Sequence, residues 1–198
     1  MRKWIIPVVI IIILVIWSVS SYNGLVAVRA DTKTAWSNVE SSYQRRNDLI
    51  GNLVKTVQGA ADFERGTLTD VIEARAKATS VQVDPTNITP EQLAQFQQAQ
   101  QGVSGALSRL LVSVERYPDL KANQNFLALQ SQIEGTENRI NVARDRYNEA
   151  ANKYDKKKHS FPAIIFASLF GFEDMPRFKA DEGAEKAPEV EFNFNDKK

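Results

Sequence analysis

Apolar residues along this chain form one unbroken run and then a series of stripes. The run occupies positions 4–19, from Trp4 through a string of isoleucine and valine to Val19, and holds no charged residue. At 1.5 Å per residue, positions 5–19 span roughly 22 Å, short of the ~30 Å hydrocarbon core of a bilayer. Adding Trp4 and continuing through Ser20, Ser21 and Tyr22 reaches that length. Trp4, Trp17 and Tyr22 are the aromatic residues expected at the lipid interface or at a partner. The run predicts a transmembrane anchor over 1–24. A cleaved signal peptide is the competing reading, with Ser18-Val19-Ser20 as a weak small-x-small site. A buried core helix is disfavoured, because no later segment has enough apolar surface to surround it.

The stripes follow. Leu25, Val28, Thr32, Ala35, Val39, Ser42, Arg46, Ile50, Leu53 and Val57 recur at steps of three and four, the signature of one helix face. Only Asn23-Gly24 separates this helix from the anchor, so it leaves the bilayer without a clear break. Gly59 and Asp62 offer a stop and a new N-cap. A second helix over about 63–80 carries Leu68, Val71, Arg75 and Ala78. The stretch VQVDPTNITPEQ reads as a loop, with Thr89 as a cap before Pro90. A third helix shows Leu93, Phe96, Gln100, Val103, Leu107, Leu110, Val114 and Tyr117. A fourth runs from Pro118 to about Lys158 with Leu120, Leu127, Ile133, Glu137, Ile140, Tyr147, Ala150 and Tyr154. Prolines are missing from 8–84, 91–117 and 119–161, which leaves room for long helices, since an interior proline costs about 3 kcal/mol. The expected fold is all-α: an N-terminal transmembrane helix, then an antiparallel up-and-down bundle of four long helices over 25–160.

One stretch, SSYQRRNDLIGNLV, puts its most polar residues where the apolar stripe should continue. Folding the helices back on one another brings Asp48 level with Arg75, and Gln100 level with Thr136 and Glu137. Arg46, Asn47, Asp48, Arg75, Gln100 and Glu137 are therefore predicted to form one polar layer across an apolar bundle. Arginine offers a fork of donors that carboxylates accept. Such a layer adds little stability but can fix helix register. The competing reading has Arg46 and Arg75 snorkelling to the surface.

Composition narrows the function more than it names it. The chain has 198 residues, 25% charged, with a formal net charge of +1, which gives no basic face for nucleic acid. Cysteine is absent, so disulfides, thiolate metal sites, thiol nucleophiles and a lipidated cysteine are excluded. His159 is the single histidine. It cannot supply the paired Glu-x-x-His units of a di-iron bundle. No Gly-rich phosphate loop, H-E-x-x-H or G-x-S-x-G is present. No catalytic residue, cofactor or metal site is expected.

Two stretches carry a family resemblance: YNGLVAVRADTKTAWSNVESSYQRRNDLIGNLVKTV and ERYPDLKANQNFLALQSQIEGTENRINVARDRYNEA. With the later FPAIIFASLFGF, they make the chain resemble the LemA family of bacterial membrane-anchored helical proteins, over Tyr22 to about Phe178. The resemblance implies a single-pass N-terminal anchor and a four-helix body, and no known reaction. Some members are encoded near an exported domain of the TPM type, which implies an extracytoplasmic partner. The chain departs from the family at Gly51, where proline is usual, and at Asp155, where asparagine is usual.

The C-terminal part joins Lys156, Lys157 and Lys158 to an apolar stretch over 161–172 within a segment 161–178. Phe161, Ile164, Ile165, Phe166, Leu169 and Phe170 are expected either to dock as a flap on the bundle or a neighbouring subunit, or to lie on the bilayer with the lysines near lipid phosphates. The remainder, 179–198, reads as a flexible tail. Within it, Val190, Phe192 and Phe194 alternate as a strand for addition would. The expected role is a non-enzymatic scaffold of the bacterial inner membrane. Its body is extracytoplasmic by the balance of Arg2 and Lys3 against Arg29 and Lys33. It would self-assemble or bind an exported partner. A ligand-binding adaptor using the polar layer or a groove is the alternative, and a hydrolase of unfamiliar type the third.

Overall fold

A computed structural model of the chain describes residues 5–59 and 63–179. Trp4, Asp62, Val190, Phe192 and Phe194 lie outside the described residues. The elements are α1 (Ile5–Gln58), α2 (Arg65–Ser80), α3 (Pro90–Val114), α4 (Pro118–Lys121), α5 (Gln124–Lys158) and α6 (Ala163–Leu169). No strand occurs among the described residues.

The 54 residues of α1 make a rod of roughly 80 Å. Every side chain from Ile5 to Trp17 is exposed, and α1 as a helix is long and apolar enough near its start to cross a membrane. From Leu25 onward the same helix buries a seam through Trp36, Val39, Ile50, Leu53 and Val57. The helix does not break at Asn23-Gly24. Gly24 instead lets α5 come close: a Cβ there would stand 3.3 Å from Lys157 Cε.

The two longest body elements, α1 and α5, share the largest interface, and α2 with α3 the next. Trp36 meets Tyr147 and Arg46 meets Glu137, so α1 and α5 run antiparallel. Trp36 and Tyr43 both pack on Phe96, and Arg46 reaches Gln100, so α3 runs with α1. At 16 and 25 residues, α2 and α3 lie close to the expected ranges and are shorter than α1 and α5. They flank the α1–α5 pair from the level of Trp36 to its end far from the apolar run.

Local signals explain the element ends. Thr89 and Gln92 form a reciprocal capping box, each side chain accepting from the other's backbone N–H at 3.1 Å, with Pro90 opening α3. The single helix expected over 118–158 is two. The chain leaves α4 at Ala122, and the Asn123 side chain accepts from the backbone N–H groups of Asn125 and Phe126 to start α5. A capped restart satisfies donors that a continuous helix would have bonded internally. Gly171, at φ 67°, ends α6, and Phe172 N–H bonds back to the Ala167 carbonyl.

Beyond Gly171, residues 172–178 form an extended strap along α5. Tyr154 donates to the Glu173 carbonyl, Tyr147 to the Pro176 carbonyl, and Asn148 exchanges two bonds with Phe178. Asp155 accepts from Met175 N–H and pairs with Arg177 at 2.7 Å. Its charge, unusual for the family it resembles, therefore has a partner. Phe172, Met175 and Phe178 are buried, and Phe178 stacks on Trp36 at 5.9 Å. Nearer the apolar run than Trp36, the strap takes the place on the α1–α5 pair that α2 and α3 do not reach.

The two α5 tyrosines that hold the strap make its attachment sensitive to alkali. Burial pushes the Tyr154 hydroxyl up to about 12, and burial followed by the charge of Asp155 pushes Tyr147 up as well. An unfolded tyrosine ionises near ~10. Between those values the folded chain holds a proton that the unfolded chain has lost, so stability falls as pH rises from about 10 to about 12. Tyr154→Phe should cost about 1 kcal/mol at neutral pH by removing the bond to Glu173, and should flatten that alkaline decline. Denaturant titrations of both chains from pH 8 to 11 measure the difference.

Candidate functional site

The apolar core is divided along its length. Its distal cluster holds Leu49, Ile50, Leu53, Val57, Val103, Leu110 and Ile133, and its middle cluster holds Trp36, Val39, Tyr43, Phe96, Ile140 and Tyr147. Arg46 on α1, Gln100 on α3 and Glu137 on α5 sit where the two clusters meet. A third cluster, Leu25, Ala151, Tyr154, Ala167, Phe172 and Met175, lies nearest the apolar run.

Arg46 is 2% exposed. Its Nη1 donates to Glu137 Oε1 and to Ser104 Oγ, both at 3.0 Å, and its Nη2 donates to the side-chain and backbone oxygens of Gln100. The guanidinium also lies 4.9 Å from the centre of the Tyr43 ring, a cation–π contact. Its Nε has no partner. The structure thus joins Arg46, Gln100 and Glu137, and adds two residues that the sequence reading missed. Both had a signal: Ser104 is one turn beyond Gln100 on α3, and Tyr43 one turn before Arg46 on α1.

The other three predicted members lie beside this cluster. Asn47 is buried, and its backbone carbonyl accepts from Arg75 Nε at 2.8 Å, while its own Oδ1 has no partner. Arg75 is half-buried and lies over Gly51, where an added Cβ would stand 3.4 Å from the guanidinium carbon. Asp48 is exposed. Asp48 and Arg75 border two adjoining grooves between α1 and α2, of about 490 and 530 Å³. The first also touches Tyr43, Asn47, Phe96 and Gln100. Side chains of this kind can hold a small polar ligand or order helices against one another. None is arranged as a nucleophile beside a base.

The expected lipid or partner contacts gather at the other end. Trp17 is exposed, and Tyr22 is half-buried. Phe161, Ile164, Ile165, Leu169 and Phe170 are exposed, and Phe166 is half-buried. Trp17 lies 5.5 Å from Phe161, and Tyr22 5.3 Å from Phe170.

A buried ion pair that loses one partner leaves a charge without compensation, a loss of about 3–5 kcal/mol when fully enclosed. Arg46→Ala should approach that range, because it also leaves Gln100 and Ser104 unpaired. Glu137→Gln should cost about 1–3 kcal/mol, because it keeps an acceptor for Arg46 but leaves that charge, 2% exposed, without its counter-ion, while the 37% exposure of position 137 lets water supply part of the loss. Gly51→Ala should stabilise by up to ~1 kcal/mol through helix propensity, with Arg75 yielding slightly. Denaturant unfolding of the three variants checks the order.

Comparison with known proteins places the same segments in one family. The LemA family model matches residues 35–192. Magnetosome protein MamQ 2 of Paramagnetospirillum magneticum is 27% identical over 175 residues, which cover 80% of this chain and 64% of that protein. Magnetosome protein MamQ of Magnetospirillum gryphiswaldense is 26% identical over 174 residues, 79% of this chain and 64% of that protein. Protein LemA of Metamycoplasma hominis is 26% identical over 160 residues, 81% of this chain and 69% of that protein. The chain thus spans a little under two thirds of the length of its magnetosome relatives. The matched region takes in the Arg46 cluster, both grooves and the strap, and this chain belongs to the LemA family.

Proposed function

We propose that this protein is a membrane-anchored, non-enzymatic scaffold whose helical body binds an exported partner or a second copy of itself. The observation that carries the proposal is the continuity of α1. One helix presents bare apolar side chains over its first turns and a buried seam over the rest. A rod with lipid-like demands at one end and core packing at the other couples a body to a bilayer rigidly. In this reading α1, α2, α3 and α5 act as an antiparallel up-and-down bundle, with the N-terminus in the cytoplasm and the body on the far side of the inner membrane. Contacts run along exposed helix faces, where Ile72, Leu127 and Val142 stand in solvent.

His159 sits at the exposed end of α5, 3.5 Å from Asp174, and borders neither groove. Among the described residues, no group of three or more His, Asp or Glu side chains converges to hold a metal. The association with magnetosomes belongs to the relatives that carry that name. A second reading, a ligand-binding adaptor, draws support from the groove beside Asn47, whose buried Oδ1 could accept from a ligand donor.

Fractionation of cells expressing the full chain tests the anchor. The protein should stay with membranes through alkaline carbonate, and added protease should reach the body only after the outer barrier is opened. A freely soluble chain beginning near residue 20 would contradict the anchor. Cross-linking in those membranes should give dimers or a heteromeric adduct, and a strictly monomeric, partnerless body would contradict the scaffold.

A further inference from the structure

Helix α6 has two faces of opposite fate. Ala163 and Ala167 are buried against the α1–α5 base, while Phe161, Ile164, Ile165, Leu169 and Phe170 are 45–73% exposed. Small residues face the protein and large apolar ones face away, the reverse of a helix that belongs to a soluble core. A patch of this kind on a water-soluble surface would mark an interaction site. Its position on α1 says what it meets. Phe161 abuts Trp17, and Phe170 and Phe172 abut Tyr22. Those two α1 residues are about 7.5 Å apart along the axis, Trp17 in the last turn of the apolar run and Tyr22 just beyond it. From Ile5 the helix reaches Tyr22 after roughly 26 Å, near the edge of a ~30 Å hydrocarbon core.

The exposed face of α6 is therefore continuous with the bare surface of α1 at the depth where lipid tails give way to headgroups. Charge agrees with that depth. The last turn of α5, immediately before this segment, holds Lys156, Lys157 and Lys158. Lys158 pairs with Asp174, whereas Lys156 and Lys157 are exposed, with Lys157 folded over Gly24 just above Tyr22. Amines at this level meet anionic headgroup phosphates.

We infer that α6 and the turn before it form a second membrane attachment, inserted in the interfacial layer beside the span, with Lys156 and Lys157 at the phosphates. The occupant of the exposed apolar face is the bilayer itself. Two attachments side by side fix how deeply α1 sits and how the body stands on the membrane. The strap, which follows α6 directly, then ties that footing to the middle of the core through Phe178. The inference rests on α1 being a membrane span, so its test must separate the two.

The absence of cysteine makes single-site labelling clean. The full chain carrying Leu169→Cys, Ile10→Cys or Val112→Cys is spin-labelled and reconstituted in vesicles of phosphatidylethanolamine and phosphatidylglycerol. Collisions with oxygen, which concentrates in lipid, are compared with collisions with a water-soluble nickel chelate. Val112, 72% exposed on α3, reports water. The inference predicts that labels at positions 169 and 10 both favour oxygen several-fold over the label at 112. A lipid signal at 10 with a water signal at 169 overturns the α6 attachment and leaves the span intact. A label at 169 shielded from both reagents means protein covers the face, a second copy included, and also overturns it. A water signal at 10 overturns the span and the attachment together.

Discussion

A guanidinium in an apolar core must be met by acceptors at one height or the fold does not close around it. Arg46 imposes that condition here. Moving such an ion out of water costs several kcal/mol even after relaxation. The cost is offset only where Glu137, Gln100 and Ser104 all present oxygens within reach and Tyr43 turns its ring face. These residues come from α1, α3 and α5, so one side chain sets three helices at a common level. Sliding α5 by a turn, about 5.4 Å, would carry Glu137 away and set Ile133 or Ile140 against the charge. The mostly aliphatic distal cluster is more tolerant of such a slide, because its Leu, Ile and Val side chains are close in volume. The polar junction is not.

The rest of the molecule is arranged around this fixed level. Distal to it, α2 and α3 complete the core, and Arg75 reaches across to the Asn47 carbonyl. On the other side the first turns of α3 and the strap share the cover, Phe96 and Phe178 both packing on Trp36, and nearer the apolar run the strap's Met175 and Phe172 join Leu25, Ala151 and Tyr154. Because α1 is continuous, a register fixed at Arg46 is transmitted as a rigid rod to the apolar run.

Much of this is legible in the sequence. Steps of three and four identify α1 and α3, because a buried seam on a straight helix has no other period. Level-matching finds Arg46, Gln100 and Glu137 because antiparallel helices rise equally per residue, so turn positions alone set which residues meet. Asp48 and Arg75 were matched by the same rule, yet they stand at a groove beside the junction, since level says nothing of which face a side chain takes. The restart at Asn123 lacked a proline or glycine to announce it, and the asparagine cap was the only sign. The strap was invisible for a different reason. An extended segment such as 172–178 has no helical period, and its hydrogen bonds go to Tyr147, Asn148 and Tyr154, which read in sequence as ordinary seam or surface positions. Docked flap and bilayer contact are alternatives only for a segment with one face, and α6 has two, with Ala163 and Ala167 buried and Ile164, Ile165 and Leu169 exposed.

Register is the claim on which the account turns, and a distance measures it. Spin labels at Asn38 on α1 and Val142 on α5, both exposed, report the level of one helix against the other by dipolar coupling. In the native chain the account predicts one narrow distance. With Arg46, Gln100 and Glu137 all changed to leucine, the chain should remain helical but show a broadened distribution or a second population displaced by about one turn, ~5 Å. An unchanged narrow distance in that apolar variant would show that hydrophobic packing alone sets the register, and would contradict the role assigned to the buried arginine.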